Sequence, residues 1–262
     1  MPTVEDFRQY LEAFAPLLLA ETWDNVGLLV GSDTQQVERV MACLTITPES
    51  LDEARRGQAQ LIVTHHPLPF RPLQKITTES TTGNLIIQAL RHGISIYSPH
   101  TAFDSAGQGI NQQLAIGIGL TEIRPLSESA ALPGLGSGRV GSTAPHSTMS
   151  TLVRDVKKFL GIELVQIVGQ SSMVIRNVAI GCGSGGSFLE SARRAGCELL
   201  VTGEASFHTC LEAKAHGMAM ILTGHFASER FAVVRLAEIL AEQFPQIVVW
   251  ASRDEADPLR FL

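Results

Sequence analysis

The chain has 262 residues, of which 45% are hydrophobic and 18% are charged, as in ordinary globular proteins. This composition excludes a disordered protein, and the length allows one large or two modest domains. The 20 basic and 26 acidic residues give a formal charge of −6, which disfavours a broad nucleic-acid surface. Nucleic acid is therefore not the expected partner.

The cysteines and the N-terminal segment indicate the compartment. The segment MPTVEDFRQYLEAF is acidic and amphipathic, unlike a signal peptide, and no run of about 18 apolar residues predicts a membrane span. The cysteines lie far apart without a CxxC pair, so no thiolate zinc site is expected at Cys43, Cys182, Cys197 or Cys210. We expect a soluble protein of the reducing cytoplasm that does not bind membranes.

Predicted helices and strands alternate along the first half of the chain. Thr3 and Asp6 begin a helical pattern that predicts a capped helix ending near Pro16. After it, apolar β-branched runs alternate with helical patterns, as in the βαβ units of a mainly parallel sheet. The predicted segments are Val26–Val30, Val40–Ile46, Glu49–Arg56, Leu61–Thr64, Asn84–Arg91 and Ile94–Tyr97.

Residues 125–150 separate this half from a second one. They are rich in Pro, Gly, Ser, Thr and Ala, which predicts a linker. Beyond it we predict a helix near Thr151–Phe159, strands near Leu164–Val168 and Val174–Ile180, and then alternating helices and strands to about Trp250. The predicted fold class is α/β, with one half over residues 1–127 and the other over residues 128–262.

The two halves are similar in sequence. Residues 51–64 align without gaps on residues 189–202, each as a helix running into a strand. After the next strand of each half, the segment His100–Asp104 matches His225–Glu229 in an HxxxD/E pattern. Two βαβ units of similar composition would share apolar positions, but they would not be expected to share this polar pattern. We therefore prefer an internal duplication.

Four of the eight histidines follow predicted strands: His65, His66, His100 and His225. Open α/β sheets bind ligands at the carboxyl ends of their strands. Adjacent residues of an extended segment point to opposite sides, so His65 and His66 would each bind a different ion of a metal pair. A carboxylate that screens the repulsion between two such ions could come from Glu229 or Asp104.

The adjacent histidines and the nearby carboxylates favour a dinuclear metal centre. A lone histidine is more often a buried residue bonded to backbone, but several candidates at strand ends favour metal binding. Imidazole mixed with carboxylate suits zinc, iron, manganese, cobalt or nickel more than calcium. His92 and His216 precede glycines and are interpreted as helix caps. The candidate ligands are His65, His66, Asp104, His225 and Glu229.

A glycine loop, Gly181-Cys-Gly-Ser-Gly-Gly186, follows a predicted strand and opens a helix. Such a loop could contact a phosphate, or NAD in an oxidoreductase. A tight turn needs the same glycines without any ligand, and we prefer this simpler interpretation.

The motifs TWDNVGLLVG, LIVTHHPLPF, HTAFD with GINQQLA, GRVG, GCGSGG, VTGE and GHFASER, in this order, resemble the Nif-three-like family. Its bacterial members are labelled GTP cyclohydrolase 1 type 2 homologues. The resemblance spans nearly the whole chain and implies two related α/β halves, a toroidal hexamer and a dinuclear metal centre with the five ligands named above. The chain is similar to the compact members, which lack an inserted domain, and Thr45 stands where many members have an aspartate.

Two classes of function follow. The first is a metal-dependent hydrolase acting on a purine nucleotide or a related phosphate compound, as in GTP ring opening. Its ions would lower the pKa of a bound water, and His100 would move protons. The alternative is a ring-shaped binding or scaffold protein that holds metals without turnover. Both imply two divalent ions per chain and a homo-oligomer, and the first also implies a small-molecule substrate.

Overall fold

The structure is a computed structural model that describes residues 1–260. Within these residues the α-helices are α1 (Val4–Phe14), α2 (Pro48–Arg56), α3 (Thr81–Arg91), α4 (His100–Ser105), α5 (Ile110–Gly117), α6 (Met149–Leu160), α7 (Leu189–Arg194), α8 (Phe207–Ala215) and α9 (His225–Gln243). The strands are β1 (Gly27–Val30), β2 (Arg39–Cys43), β3 (Leu61–Thr64), β4 (Ser95–Ser98), β5 (Thr121–Arg124), β6 (Ser127–Glu128), β7 (Gly136–Ser137), β8 (Arg139–Ser142), β9 (Gln166–Val168), β10 (Asn177–Gly181), β11 (Leu199–Thr202), β12 (Ala219–Leu222) and β13 (Val248–Ala251). Short 3-10 helices cover Leu17–Leu19 and Gly185–Phe188.

The chain forms two compact units, Met1–Phe103 with residues 232–260, and Asp104–Phe231. The first contains a five-stranded sheet of order β1-β4-β3-β2-β13, parallel except for β1. The second contains a six-stranded sheet of order β5-β8-β10-β11-β12-β9 and the small β6-β7 hairpin. Only β10, β11 and β12 are parallel in the larger sheet, so the fold class is α/β with mixed sheets.

The parallel strands lie in the core of each unit. All residues of β3, β11 and β12 are buried, as expected where helices cover both faces of a sheet. The core of the first unit includes Met41 and Ile62 from neighbouring strands. The core of the second includes Leu200 and Met220. These buried strands fix the positions of the polar residues that follow them.

Helix α1 begins where the sequence predicts. Thr3 and Asp6 form a capping box, in which the Thr3 amide donates to the Asp6 carboxylate at 2.7 Å. The buried face of the helix includes Phe7, whose ring centroid lies 4.1 Å from that of Phe244. The capping box and the packing of Phe7 within the first unit therefore both stabilise this helix.

The segment predicted as a linker contains β8, which is an interior strand of the larger sheet. It pairs antiparallel with β10 on one side and with β5 on the other. The prediction of a linker was wrong because the sequence Arg-Val-Gly-Ser carries almost no apolar pattern. Pairing with distant segments, rather than local propensity, makes this strand.

Each unit, taken separately, contains the same local pattern of two parallel strands and a helix, as an internal duplication would produce. In the first unit β3 pairs in parallel with β4, and the helix after β4 begins at His100. In the second unit β11 pairs in parallel with β12, and the helix after β12 begins at His225. The compact units do not follow the predicted halves 1–127 and 128–262, because β13 pairs with β2 in the first sheet. Within residues 1–260, no helix combines the length and apolarity needed to cross a bilayer.

Candidate metal centre

The first unit carries three histidines at the carboxyl end of its sheet. The chain leaves β3 at Thr64, and the amides of His65 and His66 then donate to the carbonyls of Cys43 and Leu44 at 3.0 and 2.8 Å. The Ser98 hydroxyl at the end of β4 donates to the His65 carbonyl at 2.6 Å. The backbone that presents both imidazoles is therefore fastened to the two neighbouring strands.

The imidazoles of His65, His66 and His100 form one cluster. A ring nitrogen from each lies within 4.8 Å of one from each of the others. The His65 and His66 ring centroids are 5.0 Å apart, so the strand-like alternation that predicts opposite directions does not continue past Thr64. That expectation was wrong because both residues lie in a bend beyond the strand. Three clustered imidazoles are a suitable donor set for a divalent transition metal.

Two of these histidines have an oxygen close to Nδ1. Thr45 Oγ1 lies 2.6 Å from Nδ1 of His66, and Asp24 Oδ1 lies 2.8 Å from Nδ1 of His100. Burial acts to raise the pKa of Asp24, but hydrogen bonds from His100 and Thr101 outweigh it and hold the pKa at about 2. Asp24 is therefore ionised, so the imidazole must donate its Nδ1 proton, which leaves Nε2 of His100 as the second functional nitrogen.

The backbone of His100 adopts an uncommon conformation. Its φ is +28°, in the region that residues with a side chain rarely occupy. The Asp24 carboxylate holds this turn, because it accepts hydrogen bonds from both the amide and the hydroxyl of Thr101. Strained residues that surrounding bonds fix in this way are typical of functional sites.

The second unit presents a histidine and a carboxylate on the first turns of α9. Nε2 of His225 lies 3.1 Å from Oε2 of Glu229, and Nδ1 of His225 lies 3.0 Å from Oε1 of Glu204. The contact with Glu229 is the main reason that the pKa of His225 rises to about 9, with Glu204 assisting against burial. Glu204 itself accepts a hydrogen bond of 2.5 Å from the Ser184 hydroxyl. The imidazole is thus fixed between two carboxylates.

The glycine loop makes room for this carboxylate. Gly183 has a φ of +62°, and a Cβ atom there would lie 2.1 Å from Oε1 of Glu229, whose side chain is buried. Its amide donates to Ser228 Oγ at 2.9 Å, and this hydroxyl donates to the His225 carbonyl at 2.8 Å. The loop is therefore bonded to the start of α9, and the geometry accounts for Gly183 without a phosphate.

Asp104, the remaining predicted ligand, begins the second unit. Asn111 Nδ2 donates to its carbonyl at 3.0 Å, while Oδ1 of Asn111 accepts from the Cys182 amide at 2.8 Å. Arg139, which is 1% exposed, donates to the carbonyls of the two residues that follow Asp104. Burial lowers the pKa of Arg139 to about 10. The backbone at Asp104 is therefore anchored to β8 and to the glycine loop.

These donors fit a divalent transition metal. Metal-binding histidines usually donate their other ring proton to an oxygen, which orients the ring and makes it a better ligand. His66 and His225 each have such an oxygen beside Nδ1. The His and Glu side chains of these clusters could thus bind metal ions, and Glu229 adds a carboxylate that is only 4% exposed.

Sequence reasoning missed the residues that orient the imidazoles. Asp24 lies in the TWDNVG motif, which we interpret from sequence as a turn, and Glu204 follows β11 in VTGE. Thr45 is recognised only as a departure from the family pattern, although its hydroxyl contacts His66. The available signal was position in the sequence, since Asp24 lies just before a predicted strand, Glu204 just after one, and Thr45 near the end of the predicted segment Val40–Ile46. The cap assignments of His92 and His216 are confirmed, because they follow the last residues of α3 and α8.

Known proteins are similar to this chain over nearly its whole length. The family model described as Duf34/NIF3 (NGG1p interacting factor 3) matches residues 2–258. A Clostridium perfringens protein named GTP cyclohydrolase 1 type 2 homolog is 32% identical over 260 residues, 99% of each chain. A Helicobacter pylori protein named GTP cyclohydrolase 1 type 2 is 33% identical over 92% of each chain. A crystal structure of a Staphylococcus aureus hypothetical protein superposes with a TM-score of 0.90 at 27% identity, covering all of both chains.

Proposed function

Because the chain belongs to the Duf34/NIF3 family, we propose that it is a metal-dependent hydrolase with two divalent ions per chain. The observation that carries the proposal is the buried Glu229 carboxylate beside His225, whose other ring nitrogen is held by Glu204. The adjacent imidazoles of His65 and His66 in the first unit support it independently. The proposed metal ligands are His65, His66, Asp104, His225 and Glu229.

The proposed substrate is a purine nucleotide or a related phosphate compound. Support comes from the Helicobacter pylori relative, which is named GTP cyclohydrolase 1 type 2. Ring opening of such a base needs a water molecule to be activated and protons to be transferred to nitrogen. A pair of divalent ions would supply Lewis acidity and lower the pKa of a bound water, and zinc, iron, manganese, cobalt and nickel all suit the donors.

His100 is the proposed proton carrier. Asp24 holds its Nδ1 proton, so Nε2 can accept a proton from one reacting atom and deliver it to another. The imidazolium formed in between is stabilised by the ionised Asp24 carboxylate. The aspartate of a Ser-His-Asp triad likewise orients the catalytic histidine and stabilises its imidazolium form.

We also propose that the protein assembles as a homohexamer and works in the cytoplasm. The hexamer follows from the family resemblance and would be a closed, symmetric homo-oligomer. The cytoplasm is supported by the cysteines, which form no disulfide within residues 1–260.

A metal-controlled activity screen tests the proposed hydrolase. Protein freed of metal with a chelator is reconstituted with each candidate ion and incubated with GTP and a panel of nucleotides. We expect turnover that requires added metal and disappears in Glu229→Gln. Full metal loading without turnover of any nucleotide would instead support the alternative, a ring-shaped protein that binds metals or partners without catalysis.

A further inference from the structure

Two large aromatic rings lie exposed beside the first histidine cluster. Trp23 is 61% exposed and Phe70 is 47% exposed, and their ring centroids are 6.0 Å apart. A soluble chain gains free energy by burying such rings, so a pair left in water beside polar groups is a feature that needs an explanation.

The backbone segments that carry the two rings are held by hydrogen bonds of their sequence neighbours. Asp24, next to Trp23, accepts hydrogen bonds from His100 and Thr101. Asn25 Nδ2 donates to the Pro69 carbonyl, next to Phe70, at 2.7 Å. The turn that carries Trp23 and the loop that carries Phe70 are therefore tied to each other. Backbone segments held in advance lose little conformational entropy when the side chains they carry bind a ligand.

Both rings also face the proposed proton carrier. The His100 ring centroid lies 6.1 Å from that of Trp23 and 5.9 Å from that of Phe70. The interplanar angles are 76° and 77°, so His100 presents its ring nearly perpendicular to both aromatic rings. A planar group that contacts the aromatic rings would thus lie within reach of the imidazole.

We propose that Trp23 and Phe70 bind the planar heteroaromatic ring of the substrate and so determine specificity for a nucleobase. This inference rests on the proposed function for the choice of a purine, and it adds the residues that recognise the base. Stacking on aromatic side chains suits a base because every nucleobase has a π-face. A sugar phosphate alone has no such face and would gain nothing from these rings.

Trp23 itself provides the measurement. The chain has two tryptophans, Trp23 and Trp250, so Trp250→Phe leaves Trp23 as the only indole. Guanosine, GTP, ribose 5-phosphate and inorganic phosphate are titrated into this protein, with fluorescence corrected for absorbance. We expect saturable quenching by guanosine and GTP and none by the two compounds that lack a base.

Variants separate stacking from general surface effects. Phe70→Leu should weaken guanosine binding about tenfold, in line with the loss measured when one stacking partner is removed. Leu90→Ala removes an apolar side chain on α3 that is 54% exposed, and it should leave the affinity unchanged. Should Trp250→Phe fail to fold, calorimetric titration of guanosine into wild type, Phe70→Leu and Leu90→Ala gives the same comparison.

The result also distinguishes this inference from the proposed function. Base-dependent quenching without turnover of any nucleotide would uphold the aromatic site and reject the hydrolase. Absence of quenching by guanosine, or equal quenching by ribose 5-phosphate, would overturn the inference even if the protein hydrolysed a phosphate compound. Trp23 emission that is already shielded from acrylamide in the assembled protein would also overturn it, because a neighbouring copy would then cover the ring.

Discussion

Gly183 lies so close to the Glu229 carboxylate that a Cβ atom at position 183 would clash with it. The position of a Cβ atom on Gly183 lies 2.1 Å from Oε1 of Glu229. The other oxygen of this carboxylate is 3.1 Å from Nε2 of His225. A larger residue at position 183 would therefore displace the carboxylate and change its contact with His225.

Gly183→Ala should lower the metal content of the protein with a modest loss of stability. The methyl group would displace the end of the Glu229 side chain, and the positive φ adds about 1–2 kcal/mol of backbone strain. Gly196→Ala is the matched control, since Gly196 has a φ of +75° but nothing within 4 Å of its Cβ position. Urea unfolding should show similar destabilisation of both variants, while elemental analysis should show metal loss only in Gly183→Ala. Equal metal contents would contradict the proposed role of the Glu229 position.

Glu229→Gln should release more metal than Asp104→Asn. We propose Glu229 as the bridge between two ions, so an amide in its place would weaken both, whereas Asp104→Asn would weaken mainly one. Elemental analysis of reconstituted protein should give about two metals per chain in the wild type. The bridge is misassigned if Glu229→Gln retains two tightly bound ions, and a wild-type value at or below one would reject the dinuclear centre.

Asp24→Asn should lower turnover about 100-fold or more while leaving the metal content unchanged. The amide cannot stabilise an imidazolium, and it no longer fixes which ring nitrogen of His100 carries the proton. The pKa of Asp24 is about 2, so the carboxylate remains ionised over the working pH range and the acid limb of the wild-type pH profile should not report its titration. A variant that keeps wild-type turnover would exclude His100 and Asp24 as the proton-transfer pair.

Glu53→Gln should destabilise the protein by about 2–3 kcal/mol near neutral pH. The Glu53 carboxylate accepts hydrogen bonds from Trp250, Ser252 and the two following backbone amides. Burial acts to raise its pKa, but these bonds outweigh it and hold the pKa below the usual 4.5. Its contribution is therefore complete above about pH 4.5 and is lost as the pH falls through the lower folded-state pKa.

Urea unfolding of wild type and Glu53→Gln at several pH values checks this sign. The difference between the two proteins should be largest near neutrality and should shrink in acid, since protonation removes the charge that the variant already lacks. A difference that grows as the pH falls would show that the hydrogen bonds favour the protonated carboxyl group.

The assembled mass should be six times 28.2 kDa. Light scattering on dilute protein measures it directly, and repeating the measurement after metal removal tests whether assembly depends on the ions. A stable monomer would reject the hexamer implied by the family resemblance.

Much of the fold can be predicted because its signals are local. The sequence predicts β3 at its observed bounds, Leu61–Thr64, since a short run of aliphatic residues is typical of a buried parallel strand. In contrast, β8 depends on pairing with β10 and β5, and neither partner is evident from the residues of β8 itself.

In the candidate site, too, some features follow from local sequence and others depend on distant residues. The histidines can be predicted because they follow strands, but their partners are distant in sequence. Asp24 lies 76 residues before His100, and Glu204 lies 21 residues before His225. Hydrogen bonds over such separations depend on tertiary structure, so no spacing rule could have identified these pairs. The orientation of the His66 side chain also depends on the bend that follows β3, which the sequence does not reveal.

The position of β13 at the edge of the first sheet has a consequence for biosynthesis. A ribosome releases residues 104–231 before Val248–Ala251 leave its exit tunnel, so the six-stranded sheet can close first. Until Val248–Ala251 emerge, β2 lacks its outer neighbour and exposes backbone groups that other nascent chains could pair with. Premature termination shortly before residue 248 would therefore damage the sheet that carries His65 and His66, although both histidines were synthesised long before.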